Sequence, residues 1–293
     1  MGTALDAIAD ARGRFAVLAM DQRQTLRRML DAAGTPSQDT DLSAFKVDVV
    51  AALASVSTGV LLDPDYGLGP VRASGALPAS VGLLITVEPA GKTEWRGEPR
   101  TMLDPTRDAD YVVRLGGHAA KFLVRWRPDR VAASGEPDLA AEALAAVAGL
   151  VADCKRVGIP SVIEPIVVGL PGEPPLSADH RKELVIVSAT RMAETGADLL
   201  KLEWPGDAEG CRRISRALGS TPWALLSAGV AYAAFIDRVR TAVDNGAAGF
   251  IAGRAIWGEA TGLVGQARIE FLRETAVPRM AGLIELAARS AAA

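Results

Sequence analysis

Eight short apolar runs, most of them separated by segments of helical period, limit what this chain can fold into. They are Phe15 to Asp21, Gly59 to Asp63, Val81 to Glu88, Ala120 to Trp126, Ser161 to Val167, Asp198 to Trp204, Pro222 to Ala228 and Ala248 to Arg254. Amphipathic stretches such as Ala141 to Val157 and Asp179 to Glu194 lie between them. Arg156-Val157-Gly158-Ile159-Pro160, Glu194-Thr195-Gly196-Ala197-Asp198 and Asp244-Asn245-Gly246-Ala247-Ala248 repeat one grammar, in which a helix ends, glycine caps it and a strand begins. Eight such units in 293 residues predict an α/β protein, a single-domain TIM (β/α)8 barrel over residues 1–293. A doubly wound open sheet uses the same alternation but carries a glycine-rich turn after its first strand. Here that strand runs into Asp21-Gln22-Arg23-Gln24. Pro89 to Pro105 and Gly169 to Leu176 read as longer loops over one barrel face, and Gln266 to Ala293 as a C-terminal helix whose last alanines fray.

The net charge of −3 comes from interspersed acids and bases, with no Lys/Arg block of the kind that tracks a nucleic acid. No apolar run approaches the roughly 20 residues of a membrane span, and Met1-Gly2-Thr3-Ala4-Leu5-Asp6 lacks the basic and apolar regions of a signal peptide. Neither nucleic acid nor membrane is expected as a partner, and a cytoplasmic location is expected. Cys154 and Cys211 have no C-x-x-C spacing and read as unpaired structural thiols. The two histidines, His118 and His180, stand away from the carboxyl ends of the strands, so the several converging histidines of a catalytic zinc site are missing. No metal and no cofactor is expected.

In a barrel of this kind the site is assembled at the carboxyl ends of the strands. The polar residues there are Asp21, Gln22 and Arg23 after the first run, Asp63 and Asp65 after the second, Glu88 on the third, Lys121 and Arg125 on the fourth, Glu164 on the fifth, Lys201 and Glu203 on the sixth, Ser227 on the seventh and Arg254 on the eighth. A bland surface accounts for Asp65, Glu88 and Glu203. It does not easily account for Lys121, for Lys201 in Asp198-Leu199-Leu200-Lys201-Leu202-Glu203-Trp204-Pro205, or for Glu164 inside Ser161-Val162-Ile163-Glu164-Pro165-Ile166-Val167. Removing an ammonium from water costs several kcal/mol and favours the neutral amine, which attacks a carbonyl to form a Schiff base. An ion pair with a neighbouring carboxylate explains the segment of Lys201 equally well when it is taken alone. Glu164 has the character of a proton shuttle, and Lys121 would be a second cation near the nucleophilic amine. Asp63 and Asp65 read as structural or substrate-hydroxyl contacts rather than Mg²⁺ ligands.

Leu226-Ser227-Ala228-Gly229-Val230 and Ile251-Ala252-Gly253-Arg254-Ala255 place small residues at the last two strand ends, where loops of this fold commonly cradle phosphate. Arg254 supplies the charge, and a phosphorylated small molecule is the expected partner.

Phe15-Ala16-Val17-Leu18-Ala19-Met20-Asp21-Gln22-Arg23, Lys121-Phe122-Leu123, Ile163-Glu164-Pro165, Asp198-Leu199-Leu200-Lys201-Leu202-Glu203, Leu226-Ser227-Ala228-Gly229-Val230 and Ala252-Gly253-Arg254-Ala255-Ile256-Trp257 resemble the class I tagatose-1,6-bisphosphate aldolase and sulfofructosephosphate aldolase family. The resemblance is collinear over nearly the whole chain. It implies Lys201 as the Schiff-base lysine and Glu164 as the proton shuttle. It also implies that Asp21, Gln22 and Lys121 contact substrate hydroxyls, and that Ser227, Gly229, Gly253 and Arg254 bind a C1 phosphate. The substrate so implied is a C6-phosphorylated or C6-sulfonated ketohexose 1-phosphate, cleaved to dihydroxyacetone phosphate and a three-carbon aldehyde. Val124-Arg125-Trp126-Arg127-Pro128-Asp129 resembles the sulfosugar enzymes, whereas Leu62-Asp63-Pro64-Asp65-Tyr66-Gly67 resembles the tagatose enzymes. Arg23, Arg125 and Arg127 are the candidates for the distal anion. A phosphosugar isomerase or epimerase and a non-catalytic phosphosugar sensor are the alternatives on the same barrel. Association through outer helices into a homo-oligomer is expected.

Overall fold

The computed structural model describes residues 5–91 and 93–289. The start of the chain and its last alanines, on which sequence expectations were placed, lie outside the described residues. The barrel strands are β1 (Phe15–Met20), β2 (Gly59–Leu62), β3 (Gly82–Thr86), β4 (Ala119–Trp126), β5 (Ser161–Val167), β6 (Leu199–Leu202), β7 (Trp223–Leu226) and β8 (Gly249–Ala252). Their order is a closed parallel barrel that follows the chain from β1 to β8 and returns to β1. The predicted runs overshoot by a residue or two where a polar residue ends the strand: Asp21, Asp63, Glu203 and Arg254 all stand just outside the ladder. Each strand core is built of residues that are apolar at consecutive positions, as both faces of a barrel strand are covered.

The chain divides into two compact units. The first, residues 1–86, 227–240 and 249–293, carries β1, β2, β3 and β8. Within it Val17 pairs with Ile251 on one side and with Gly59 on the other. Its helices α1 (Gln24–Ala32), α2 (Asp39–Leu53) and α3 (Leu68–Ala73) follow the first two strands. The C-terminal segment is helical from Gly265 to Arg289, with a wide π turn at Leu272–Ala276. Pro278 follows that turn; it has no N–H to give the ladder, and its ring needs the room a widened turn provides.

The second unit, residues 87–226 and 241–248, carries β4 to β7 with α4 (Ala109–Arg114), α5 (Leu139–Val157), α6 (Ala178–Glu194) and α7 (Ala208–Leu218). Asp138, Ser177 and Asp207 accept the third-residue N–H at the starts of α5, α6 and α7, as helix N-caps do. Gly158 closes α5 at φ 78°, its N–H donating to the Cys154 carbonyl, which is the turn that the glycine grammar predicts. The segment between β3 and α4 contains a short antiparallel hairpin, Glu94–Trp95 with Glu98–Pro99. It is fixed by the bidentate Arg100–Glu142 pair and by Arg130, which donates to Glu98 at 2.6 Å and lies over the Trp95 ring. Among the described residues no helix is long and apolar enough to cross a membrane.

Candidate active site

In the second unit, alternation along neighbouring parallel strands puts three chemically unusual side chains together. Leu123 is in register with Glu164, and Val162 with Leu199. Residues two apart share a face, so Lys121, Leu123 and Arg125 of β4 stand beside Val162, Glu164 and Ile166 of β5 and beside Leu199 and Lys201 of β6. Pro165 restricts the preceding Glu164 to an extended backbone and removes one ladder donor, fixing this carboxylate within the strand. The Glu164 carboxylate lies between two ammonium groups, 2.7 Å from Lys121 Nζ and 2.9 Å from Lys201 Nζ. All three residues are buried, with Lys121 1%, Lys201 4% and Glu164 8% exposed.

The two lysines are held differently. Lys121 also donates to Glu88 Oε1 at 3.1 Å, and Glu88 Oε2 accepts the Leu123 N–H. Lys201 has Glu164 as its carboxylate partner among the described residues. Glu88, which the sequence offers as a bland surface acid, is therefore buried and paired; the one readable signal is that it closes an apolar run, two residues past the end of β3. Glu203 is likewise engaged. Its Oε2 accepts the Val167 N–H at 2.7 Å and Oε1 faces Arg181 at 3.3 Å, while burial pushes its carboxyl up from the usual range.

Of the proposed distal-anion arginines in this unit, Arg127 is already occupied. It is 6% exposed and clamped by Asp129 and Glu173, the latter also accepting the Leu170 N–H. Arg125 is half-buried on the Lys121 face, and no carboxylate among the described residues pairs with it. Cys154 and Cys211 are buried thiols, each pushed up to about 12 by burial, as inert structural cysteines should be.

In the first unit Ser227-Ala228-Gly229 leaves β7 with two successive left-handed residues, Ala228 at φ 51° and Gly229 at φ 78°. Such a pair turns consecutive N–H groups toward one side, a concavity suited to an anion. A Cβ at Gly229 would lie 3.1 Å from the Arg254 guanidinium, so glycine lets that group lie against the turn. A Cβ at Gly253 would lie 2.3 Å from the Ala19 carbonyl oxygen, which explains the small residue there by close packing on β1. No carboxylate among the described residues pairs with Arg254.

The segment after β1 is also built up. Gln22 Nε2 donates to Asp21 Oδ1 at 3.0 Å, and Gln22 Oε1 is buried without a partner. Arg23 pairs with Asp65 at 2.9 Å, so its charge is matched within the unit. Asp63 takes the structural of the two roles the sequence leaves open: it is fully buried, its Oδ2 2.5 Å from Lys46 Nζ and its Oδ1 accepting the N–H groups of Asp65 and Tyr66. Lys46 escaped the sequence reading because it falls inside a helix-period segment, where a lysine normally marks the solvated face. Among the described residues no group of three His, Cys, Asp or Glu side chains is placed to hold a metal ion.

Residues 15–259 match the model of the DeoC/LacD family aldolases. The chain is 28% identical to a tagatose 1,6-diphosphate aldolase of Listeria monocytogenes, over 92% of this chain and 85% of that one. It is 26% identical to tagatose 1,6-diphosphate aldolase 2 of Enterococcus faecalis, over 87% and 82%. In fold it is similar to a Schiff-base-forming fructose-1,6-bisphosphate aldolase, with a TM-score of 0.67 at 20% identity over 97% of this chain and 98% of that one. The barrel is common to the aldolase, isomerase and sensor readings; the family match over most of the chain is what favours an aldolase. The chain belongs to the DeoC/LacD family of aldolases.

Proposed function

We propose that the chain is a class I aldolase that cleaves a ketohexose 1-phosphate bearing a phosphate or sulfonate at C6, giving dihydroxyacetone phosphate and a three-carbon aldehyde. The observation that carries this reading is the buried Glu164 carboxylate in contact with two lysine ammonium groups. A carboxylate so placed can accept a proton from Lys201 and return it to a hydroxyl formed at the same point.

Lys201 is the nucleophile in this reading, because Lys121 is shared between two carboxylates and Lys201 has one to release it. The neutral Lys201 amine attacks C2, giving a carbinolamine. Glu164, 2.9 Å from Lys201 Nζ, delivers a proton to the C2 hydroxyl, water leaves, and an iminium forms. Loss of the C4 hydroxyl proton, to Glu164 or to a substrate phosphate, drives cleavage of C3–C4. The bonding pair moves into the iminium, and the aldehyde departs. Protonation of the resulting enamine at C3 and hydrolysis return Lys201 and release dihydroxyacetone phosphate. Lys121 supplies a fixed positive charge beside the shuttle, and Asp21 and Gln22 contact sugar hydroxyls. Ser227, Gly229, Gly253 and Arg254 seat the C1 phosphate, which the left-handed turn and the unmatched guanidinium support. Arg125 is the distal-anion arm, since Arg127 and Arg23 have carboxylate partners.

The test is a cleavage assay with tagatose 1,6-bisphosphate, fructose 1,6-bisphosphate and 6-deoxy-6-sulfofructose 1-phosphate, reading dihydroxyacetone phosphate release. Cleavage of at least one is expected. Cleavage of none, with the protein folded, would overturn the substrate class.

A further inference from the structure

The apolar face of α2 is formed by Leu42, Phe45, Val49, Val50 and Leu53, and in the middle of that face stands Lys46, fully buried. The helix period calls for a hydrophobe there, and an uncompensated ammonium at that position costs several kcal/mol. The compensation is complete: Nζ donates to the Met20 carbonyl at 2.8 Å, to the Gln22 carbonyl at 2.8 Å and to Asp63 Oδ2 at 2.5 Å. Three N–H donors meet three acceptors, the full capacity of an ammonium.

Those acceptors are not scattered. Met20 and Gln22 flank Asp21, so the two carbonyls fix the 20–21 and 22–23 peptide units at either end of the Asp21–Gln22 pair. Asp63, at the end of β2, holds the Asp65 and Tyr66 N–H groups with its other oxygen, and Asp65 in turn pairs with Arg23. The chain leaving β1 is therefore anchored twice to the chain leaving β2, once through Lys46 and once through Arg23. With the backbone held from the helix side, the side chains of Asp21 and Gln22 bond to each other, and Gln22 Oε1 is left buried without a partner. A buried acceptor in that state is an incomplete hydrogen-bond set which a ligand hydroxyl would complete.

We propose that Lys46, with Asp63, is a positioning residue for the aldolase reaction: the pair sets the Asp21–Gln22 turn so that its side chains meet the sugar hydroxyls. The inference rests on the function proposed above, in which those two side chains contact substrate. A helix packed by methionine at this position would bury its face equally well but would take the Lys46 donor from two carbonyls and from Asp63 Oδ2. Hydrogen bonding of this kind is a requirement of the turn, not of the helix.

The experiment is a double-mutant cycle on the full chain, with cleavage of whichever of the three sugars above the wild type turns over as the readout. The variants are Lys46→Met, Gln22→Ala and the pair. Lys46→Met is expected to lower kcat/KM by about 100-fold while its circular dichroism stays native at the assay temperature, a loss of the size that a slightly misplaced site produces. Because both residues act through one turn, the double variant should be no worse than the poorer single one. Asp63→Asn keeps the side-chain volume, and it serves in the same cycle if Lys46→Met does not fold. Multiplicative losses, or folded variants with wild-type kcat/KM, would overturn the positioning role. If wild type forms no borohydride-trapped adduct on Lys201 with dihydroxyacetone phosphate, the proposed function falls and this inference with it. Adduct formation with unaffected variants would remove only the inference.

Discussion

Replacing Glu164 by glutamine removes the negative charge between two buried cations while preserving size. In the native site the carboxylate is 2.7 Å from Lys121 Nζ and 2.9 Å from Lys201 Nζ. At an effective dielectric constant of about 20, a charge pair 4 Å apart is worth roughly 4 kcal/mol, part of which only offsets desolvation. Removing one member of a buried pair costs about 3–5 kcal/mol, because the remaining charge stays buried without its partner. Glu88 still holds Lys121, so the penalty falls mainly on Lys201 and belongs at the lower end of that range. With an unfolding entropy of about 2 cal/mol/K per residue over 293 residues, each kcal/mol is worth just under about 2 °C of Tm, which predicts a Tm lower by about 5 °C. The chemistry suffers more: loss of a positioned acid–base group costs roughly 10²- to 10⁴-fold in kcat. The assay is dihydroxyacetone phosphate release coupled to NADH oxidation, run below the variant's melting onset, with Tm followed by differential scanning fluorimetry. A Glu164→Gln protein with the lower Tm and the wild-type kcat would refute the shuttle, leaving Glu164 as a structural counter-ion.

Arg125→Met should raise KM for the C6-anionic substrate by about 10- to 100-fold, the worth of one charge-assisted hydrogen bond, and leave a ketohexose 1-phosphate without a C6 anion unaffected; steady-state kinetics on the two substrates checks it. Arg254→Ala should weaken both substrates alike by a similar factor of roughly 10 to 100, since each carries the C1 phosphate. The Arg127–Glu173 clamp predicts an acid-labile contribution to stability. Its guanidinium and the Leu170 N–H hold the Glu173 carboxyl at about 2 against an ordinary 4.5. A depressed native value means that the unfolded chain binds the proton first as pH falls. The stability is thus fully present above about 4.5 and is lost as pH falls through about 2. Urea midpoints of wild type and Glu173→Gln should differ near neutrality and converge over that window.

Much of the fold was legible because barrel strands are apolar on both faces and their helices end in glycine. All eight runs became strands, with starts within one residue and the larger errors an overshoot of one or two residues at most carboxyl ends. The polar residues at those ends are the ones a barrel exports to its site, so a run that ends in Asp or Arg looks like a longer strand than the ladder can hold. Lys121, Glu164 and Lys201 were legible for the related reason that an ionisable group within an apolar run must have partners. Two kinds of residue were not. Lys46 is spaced so that its burial follows from the packing of α2, which a single sequence does not specify, and its partnership with Asp63 spans 17 residues. Arg127 offered itself as a ligand group until Asp129 and Glu173 were seen to neutralise it, and pairing across loops leaves no periodic trace.

The central claim is that Lys201 forms the covalent intermediate. Mixing the protein with dihydroxyacetone phosphate and sodium borohydride, followed by intact and peptide mass spectrometry, tests it most directly, because borohydride converts an iminium into a stable amine. A single ligand-sized adduct on the peptide containing Lys201, absent from Lys201→Met, is the predicted result. No adduct despite demonstrated binding, or an adduct carried by Lys121, would contradict it.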